Sequence, residues 1–343
     1  MALLLAALGL AVLALLLRLP GRVVLAMAGV LWLGALAVHL AAPGSGAARA
    51  LGGDLRVWLL GGGIAALVLA YRALLARLRR AAVPLAQPAQ TGMGDAELDR
   101  YARHLVLREI GGPGQMRLRS ARVLVVGAGG LGAPVCLYLA AAGVGRITLA
   151  DDDTVSLSNL QRQVIFRDAD TRKNKAQAAA AAMAALNPHV QVMPLLRRIG
   201  AEDAELVAGH DLVLDGSDSH ASRMAVNRAC VAAGVPLIAG AMSQWEGQVT
   251  LYDPARGGPC LACLFPDAPA PGLAPPCAEA GIIGALPGVI GSMMALEAIK
   301  HLTGAGQGLR GRMVIFDGLY GENRTIMTEA RPGCAVCGGY SSS

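Results

Sequence analysis

Acidic residues are nearly missing from the first eighty positions of this chain. Asp54 stands there against eight arginines, Arg18, Arg22, Arg49, Arg56, Arg72, Arg77, Arg79 and Arg80. Of 30 Lys or Arg and 24 Asp or Glu in all, the remaining residues hold 22 and 23, so the formal net charge of +6 belongs to the N-terminal segment. A body with no positive excess argues against a nucleic-acid groove, and no nucleic acid is expected as a partner. Charge of either sign is scarce: 16% of the 343 residues are charged and 54% are hydrophobic, an apolar balance for a soluble protein. The apolar excess sits in the same eighty residues. No Lys or Arg precedes Arg18, so the first apolar run lacks the basic n-region of a cleaved signal peptide. No fixed-period internal repeat runs through the chain.

Three apolar runs occupy residues 2–17, 23–42 and 57–71. A membrane-crossing helix needs about 20 apolar residues. The middle run meets that length, the first must use its flanks, and the third reaches it if Arg72 snorkels to the headgroups. Positive charge follows the first run, which favours an outside N-terminus, and Arg72, Arg77, Arg79 and Arg80 then fall inside. Residues 1–80 are expected to form three transmembrane helices in the inner (cell) membrane, with the following domain cytoplasmic. The alternative, a buried hairpin of core helices, leaves little polar surface to solvate it. Residues 81–95, with two Pro and two Gly and no apolar period, read as a linker. Residues 96–343 alternate strand-like and helix-like segments, the pattern of an α/β domain. Strands are expected at 121–127, 146–152, 190–195, 211–216, 235–241, 247–253 and 311–318, and helices at 97–110, 131–143, 173–186, 202–208, 221–233 and 287–302.

The stretch VLVVGAGGLGAPV runs four aliphatic residues into Gly127, Gly129 and Gly132, the G-x-G-x-x-G spacing, with Gly130 between them. Gly127 permits the tight turn, Gly129 lets the backbone approach a phosphate, and Gly132 lets the following helix pack on the strand with its N-terminal amides facing an anion. Asp151 ends the next strand, 24 residues after Gly127, where a carboxylate can accept from ribose hydroxyls. These residues indicate an adenine nucleotide without saying which. Crowded phosphate charge calls for cations, and Arg162 and Lys175 follow in the segment NLQRQ…TRKNKAQ, with Asn159 and Gln163 as neutral donors. Asp218 follows an apolar strand at the end that faces the ligand crevice in open α/β sheets, and its other expected role is a helix N-cap before SHASRM. Asp215 reads as structural. Seven Cys occur, four of them in the pairs Cys260/Cys263 and Cys334/Cys337. Two C-x-x-C knuckles can supply four thiolates to one tetrahedral Zn²⁺ with no open position; the alternative is two independent redox pairs. Cys136 and Cys230 sit in helical patterns and read as core.

RYARHLVL, VVGAGGLG, VSLSNLQRQ, Lys175, LDGSDS, EGQVTLY, the two C-x-x-C pairs and CAEAGI occur in that order, and over residues 95–338 the chain resembles the adenylyltransferases that activate ubiquitin-like sulfur carriers. The resemblance implies a Rossmann-like mixed sheet flanked by helices and a zinc-stapled C-terminal region. It implies ATP with Mg²⁺ as cosubstrate, Asp218 as the magnesium-linked catalytic carboxylate, and a carrier protein ending in Gly-Gly as partner. The family usually has Asn after this Asp, and Ser219 stands here instead. The matching Arg103 reaches a partner's phosphates across a dimer in that family, so a homodimer is expected, with Arg100 a weaker candidate and an amphipathic surface helix the alternative. In some relatives a Cys matching Cys277 attacks the activated acyl group; in a simple adenylyltransferase it is a spectator. The molybdopterin carrier is the first expectation, with a thiamine-pathway or other carrier as alternative and a dinucleotide-dependent oxidoreductase as the rival class. Sulfur is expected to come from another protein, because no rhodanese-like domain follows residue 338.

Overall fold

A computed structural model describes residues 21–52, 54–81, 92–268 and 281–338. The chain forms two compact units, residues 1–91 and 92–343.

The first unit contains helices Gly21–Ala41, Gly46–Leu51 and Leu55–Ala81. The two long helices are joined by aromatic contacts. Trp32 Nε1 donates to the Trp58 carbonyl at 3.1 Å, Trp58 Nε1 donates to Gly52 O at 3.0 Å, and the His39 ring lies 5.9 Å from that of Trp58. A side chain at Gly62 would strike the Trp32 ring, so the glycine admits the indole. Among the described residues one stretch, Leu55–Arg72, which overlaps the third apolar run, is long and apolar enough to cross a membrane, with mean hydropathy 1.4 and none of it buried. Gly29–Ala41 is a shorter apolar helix, and residues 2–17 lie outside the described residues. Of the residues expected to form a linker, 81–95, residues 82–91 lie outside the described residues, and the helix Asp95–Leu105 begins at its end.

The second unit is built on one eight-stranded mixed sheet. Its strands are β1 Arg122–Val126, β2 Arg146–Ala150, β3 Gln191–Leu195, β4 Leu212–Asp215, β5 Leu237–Met242, β6 Glu246–Tyr252, β7 Arg312–Asp317 and β8 Glu322–Met327, in the order β3-β2-β1-β4-β5-β6-β7-β8. The first five are parallel and the last three add antiparallel. Side-chain alternation sorts the apolar strand residues into two layers. Val123, Val125, Ile147, Leu149, Leu212 and Leu214 pack under helices Gly132–Ala142, Lys175–Leu186 and Ala285–Thr303. Leu124, Val126, Val213, Leu237 and Tyr252 pack under helix His220–Ala233 and the cysteine knuckles. β1 and β4 are buried on both faces, so they read as unbroken apolar runs.

All seven expected strands are present. β8 has no counterpart among the expectations because each of its residues is exposed, and an edge strand carries no apolar alternation to detect. The expected helix 97–110 ends at Leu105, and a separate helix, Gly111–Ser120, follows it; Gly and Pro crowd its first turn and mask its period.

The turn after β1 fixes how closely its helix approaches. Gly127 adopts φ +88°, and a Cβ at Gly132 would sit 1.8 Å from the Gly127 carbonyl oxygen. Gly132→Ala is therefore expected to lower unfolding stability by about 1–3 kcal/mol, the usual cost of overpacking. Denaturant unfolding within about 0.5 kcal/mol of the parent would contradict this contact.

Candidate functional site

β1 lies between β2 and β4, so the chain leaves the sheet in opposite directions on its two sides, and a cleft opens at the carboxyl ends of these strands. Gly127, Gly129 and Gly130 line it with Asp151, Asp152, Asp153, Arg162, Gln163, Lys175, Arg198 and Asp218. Most residues expected at a nucleotide site thus share one cleft.

Asp151 is held from both sides. Its Oδ2 accepts from Ala128 N–H at 2.7 Å and its Oδ1 from Asp153 N–H at 2.8 Å. Burial pushes this carboxyl above the ordinary carboxylate range, opposed by those two backbone donors and by the Lys175 charge. Two orienting bonds leave lone pairs on each oxygen for ribose hydroxyls.

Lys175 opens the helix Lys175–Leu186, whose N-cap Asn174 accepts from Gln177 N–H at 3.2 Å. The preceding turn passes through Arg172, which holds φ +71° without being Gly, and Val155 N–H bonds Lys173 O at 2.8 Å. That reversal delivers Lys175 to the cleft. It is 5% exposed, and its Nζ lies 2.8 Å from Asp153 Oδ2. Arg162 is oriented by Asn159, whose Oδ1 accepts from Nη2 at 3.1 Å, and by the Ser158 carbonyl at 3.3 Å. Asn159 is not among the cleft-lining residues, and its side chain meets Arg162 instead of the cleft.

Asp218 lies on the loop between β4 and helix His220–Ala233 and makes no hydrogen bond or ion pair among the described residues. The helix cap expected of it belongs to Ser219, whose Oγ accepts from Ser222 N–H at 3.2 Å. Ser219 is accordingly not a cleft-lining residue. Two buried cleft atoms, Gln163 Oε1 and Ser217 Oγ, have no hydrogen-bond partner, as expected of groups that bond a ligand.

The sequence reading missed Arg198, which lines the cleft and pairs with Asp152 at 3.0 Å. The available signal was its place just past the carboxyl end of a parallel strand, on the ligand side of such sheets. Arg103 is exposed on helix Asp95–Leu105 and is not brought to the cleft of its own chain. Arg100 donates to the Leu186 carbonyl at 2.9 Å. Cys277 lies outside the described residues.

The two C-x-x-C pairs meet. Cys260 Sγ lies 3.8 Å from Cys263 Sγ and 3.7 Å from Cys334 Sγ, and Cys263 Sγ lies 3.4 Å from Cys337 Sγ. Metal–sulfur bonds of about 2.3 Å in a tetrahedron place the sulfurs about 3.8 Å apart. All four are buried, so the set can hold one closed, structural ion.

The arrangement is that of a nucleotide cleft beside a four-thiolate staple, and residues 101–336 match the ThiF family. The chain belongs to the ThiF family. It is 47% identical over 243 residues to the SAMP-activating enzyme E1 of Haloferax volcanii, covering 71% of this chain and 89% of that protein. It is 46% identical over 247 residues to the sulfur carrier protein adenylyltransferase of Thermus thermophilus, covering 71% and 91%. It is 44% identical over 247 residues to the molybdopterin-synthase adenylyltransferase of Escherichia coli, covering 72% and 98%. The fold of this ThiF-family chain is shared with the crystal structure of E. coli MccB with ATP, at TM-score 0.61 and 24% identity over 72% of this chain and 77% of that one.

Metal analysis of the purified ThiF-family protein is expected to find close to one thiolate-held ion per chain, lost with a fall in melting temperature in Cys334→Ser. A metal-free parent protein with an unchanged melting temperature would overturn the staple.

Proposed function

We propose that this chain is an ATP-dependent adenylyltransferase that activates the C-terminal glycine carboxylate of a ubiquitin-like sulfur carrier. The observation that carries this is a cleft where the glycine turn, a buried Lys175, Arg162 and an unpaired Asp218 converge. The carrier carboxylate attacks the α-phosphorus of ATP, the bond to the bridging oxygen breaks, and pyrophosphate leaves with that electron pair. Asp151 takes the ribose, and Gly129 and Gly130 admit the phosphates with no side chain in the way. Lys175 and Arg162 neutralise charge that grows on the leaving group, with Arg198 a third cation at the mouth. The four cleft acids would repel a bare triphosphate. The Asp151, Asp152 and Asp153 carboxylates lie within 4.8 Å of one another, and Asp218 makes no hydrogen bond or ion pair among the described residues, so the cleft fits ATP carried with Mg²⁺.

The carrier of first choice is the molybdopterin synthase small subunit, which fits a role in molybdenum cofactor biosynthesis; a thiamine-pathway or other sulfur carrier is the alternative. The ion held by the four cysteines is Zn²⁺, in a structural role. Arg103, exposed on its own chain, serves the phosphates of a second copy in a homodimer. Cys277 is a candidate acceptor for the activated acyl group. Residues 1–80 tether the enzyme to the inner membrane with the ThiF domain cytoplasmic, a reading supported by the exposed apolar helix Leu55–Arg72 and the arginines beyond it.

Purified protein is expected to exchange labelled pyrophosphate into ATP only when a diglycine-ended carrier is present. Arg162→Ala and Lys175→Ala each are expected to lower that exchange roughly 10²–10³-fold. No exchange with any such carrier, alongside NADH oxidation, would sink the reading. Cell fractionation is expected to place the full chain in the membrane pellet, resistant to high salt, and a chain starting at residue 92 in the supernatant. A full chain in the soluble fraction would refute the tether.

A further inference from the structure

The loop that carries Asp218 is gripped by residues outside the reacting groups. Asp215 ends β4 with 0% exposure. The register places it between Val126 of β1 and Ala239 of β5, with Thr250 of β6 next in the row. That row lies on the face covered by helix His220–Ala233. Asp215 Oδ1 accepts from Ser217 N–H at 2.8 Å. The Ser217 carbonyl accepts from Arg223 Nε at 3.1 Å and Nη2 at 2.8 Å. The peptide planes on both sides of Ser217 are thus held, and the second of them contains the Asp218 nitrogen. Gly216 N–H bonds Val126 O at 2.9 Å, which anchors the loop's start to the strand bearing the glycine turn.

A turn alone does not require this arrangement. A buried side-chain acceptor is costly to desolvate unless its hydrogen bonds offset that cost, and here the bond made is to the loop itself. Here the second oxygen, Asp215 Oδ2, is buried with no hydrogen-bond partner among the described residues. Arg223 stands one helical turn beyond the cap Ser219, so capping the helix also sets the Arg that holds the loop.

We propose that Asp215 and Arg223 form a clamp that positions Asp218 in the nucleotide cleft, acting on the turnover step and not on nucleotide affinity. The proposal rests on the reading that Asp218 serves adenylation. A misplacement of about 1 Å can cost on the order of 10²-fold in rate. The assay is carrier-dependent pyrophosphate exchange by the full chain, with kcat and the KM for ATP measured separately and folding followed by thermal melting. Asp215→Ala is expected to lower kcat about tenfold or more and leave the KM for ATP within about threefold. Asp215→Asn, which retains the acceptor for Ser217, is expected to recover most of kcat. Arg223→Gln changes a partly exposed residue and is expected to show the same kcat loss if Asp215→Ala does not fold. The two losses should fail to add in the double variant, since both act on one loop. Near-parent kcat in both clamp variants while Asp218→Asn is inactive would overturn the clamp alone. Asp215→Asn as inactive as Asp215→Ala would assign the effect to charge and overturn it as well. Full activity in Asp218→Asn would overturn the role of Asp218, and the clamp with it.

Discussion

The contact between Gly132 and the Gly127 carbonyl is the constraint from which the site follows. Only a residue without a side chain lets the helix Gly132–Ala142 lie so close behind β1, and that closeness turns the helix N-terminus toward the carboxyl ends of β1, β2 and β4. Everything charged in the cleft is then arranged around this end. Asp151 closes β2, Arg198 follows β3, and Asp218 follows β4. Neighbouring parallel strands bring to one place residues that lie far apart along the chain.

The electrostatics of the cleft are those of a site prepared for a partner. Lys175 lies against Asp153 and Arg198 against Asp152, so two of its cations are already paired, while Arg162 is steered by a neutral side chain and a carbonyl. A phosphate ligand must compete with these carboxylates, which is feasible when it arrives with a cation of its own. Charge-assisted bonds in a partly dehydrated cleft are worth more than the same contacts in water.

The opposite face of the sheet is held by the cysteines. Leu261 N–H bonds the Asn227 side chain at 2.9 Å, tying the first knuckle to helix His220–Ala233, and the second knuckle belongs to the C-terminal tail. One bound ion would join the tail to the layer that also supports the Ser217 loop. The cysteine cluster and the Ser217 loop thus rest on the same helix, one at its middle and the other at its start.

Much of this was legible in the sequence because the signals are local. Apolar runs ending in Gly or Asp marked β1, β2 and β4, the glycine spacing marked the turn, and the C-x-x-C pairs marked their ligands. Arg162, Lys175 and Asp218 followed from charge placed near those marks. What depends on distant residues was not legible. β8 is an exposed edge, so its pairing with β7 alone defines it. Arg198 belongs to the cleft only because β3 lies beside β2. The cap belongs to Ser219 and not Asp218 because the helix begins at His220, one residue later than an Asp218 cap requires. By itself the sequence determined the turn, the expectation of a nucleotide and the four cysteines that can hold an ion, since each depends on spacing within a few residues. The tertiary structure alone decided which cations share the cleft, that two knuckles 70 residues apart meet, and that Asp215 and Arg223 grip one loop, since each of these depends on strand order and register.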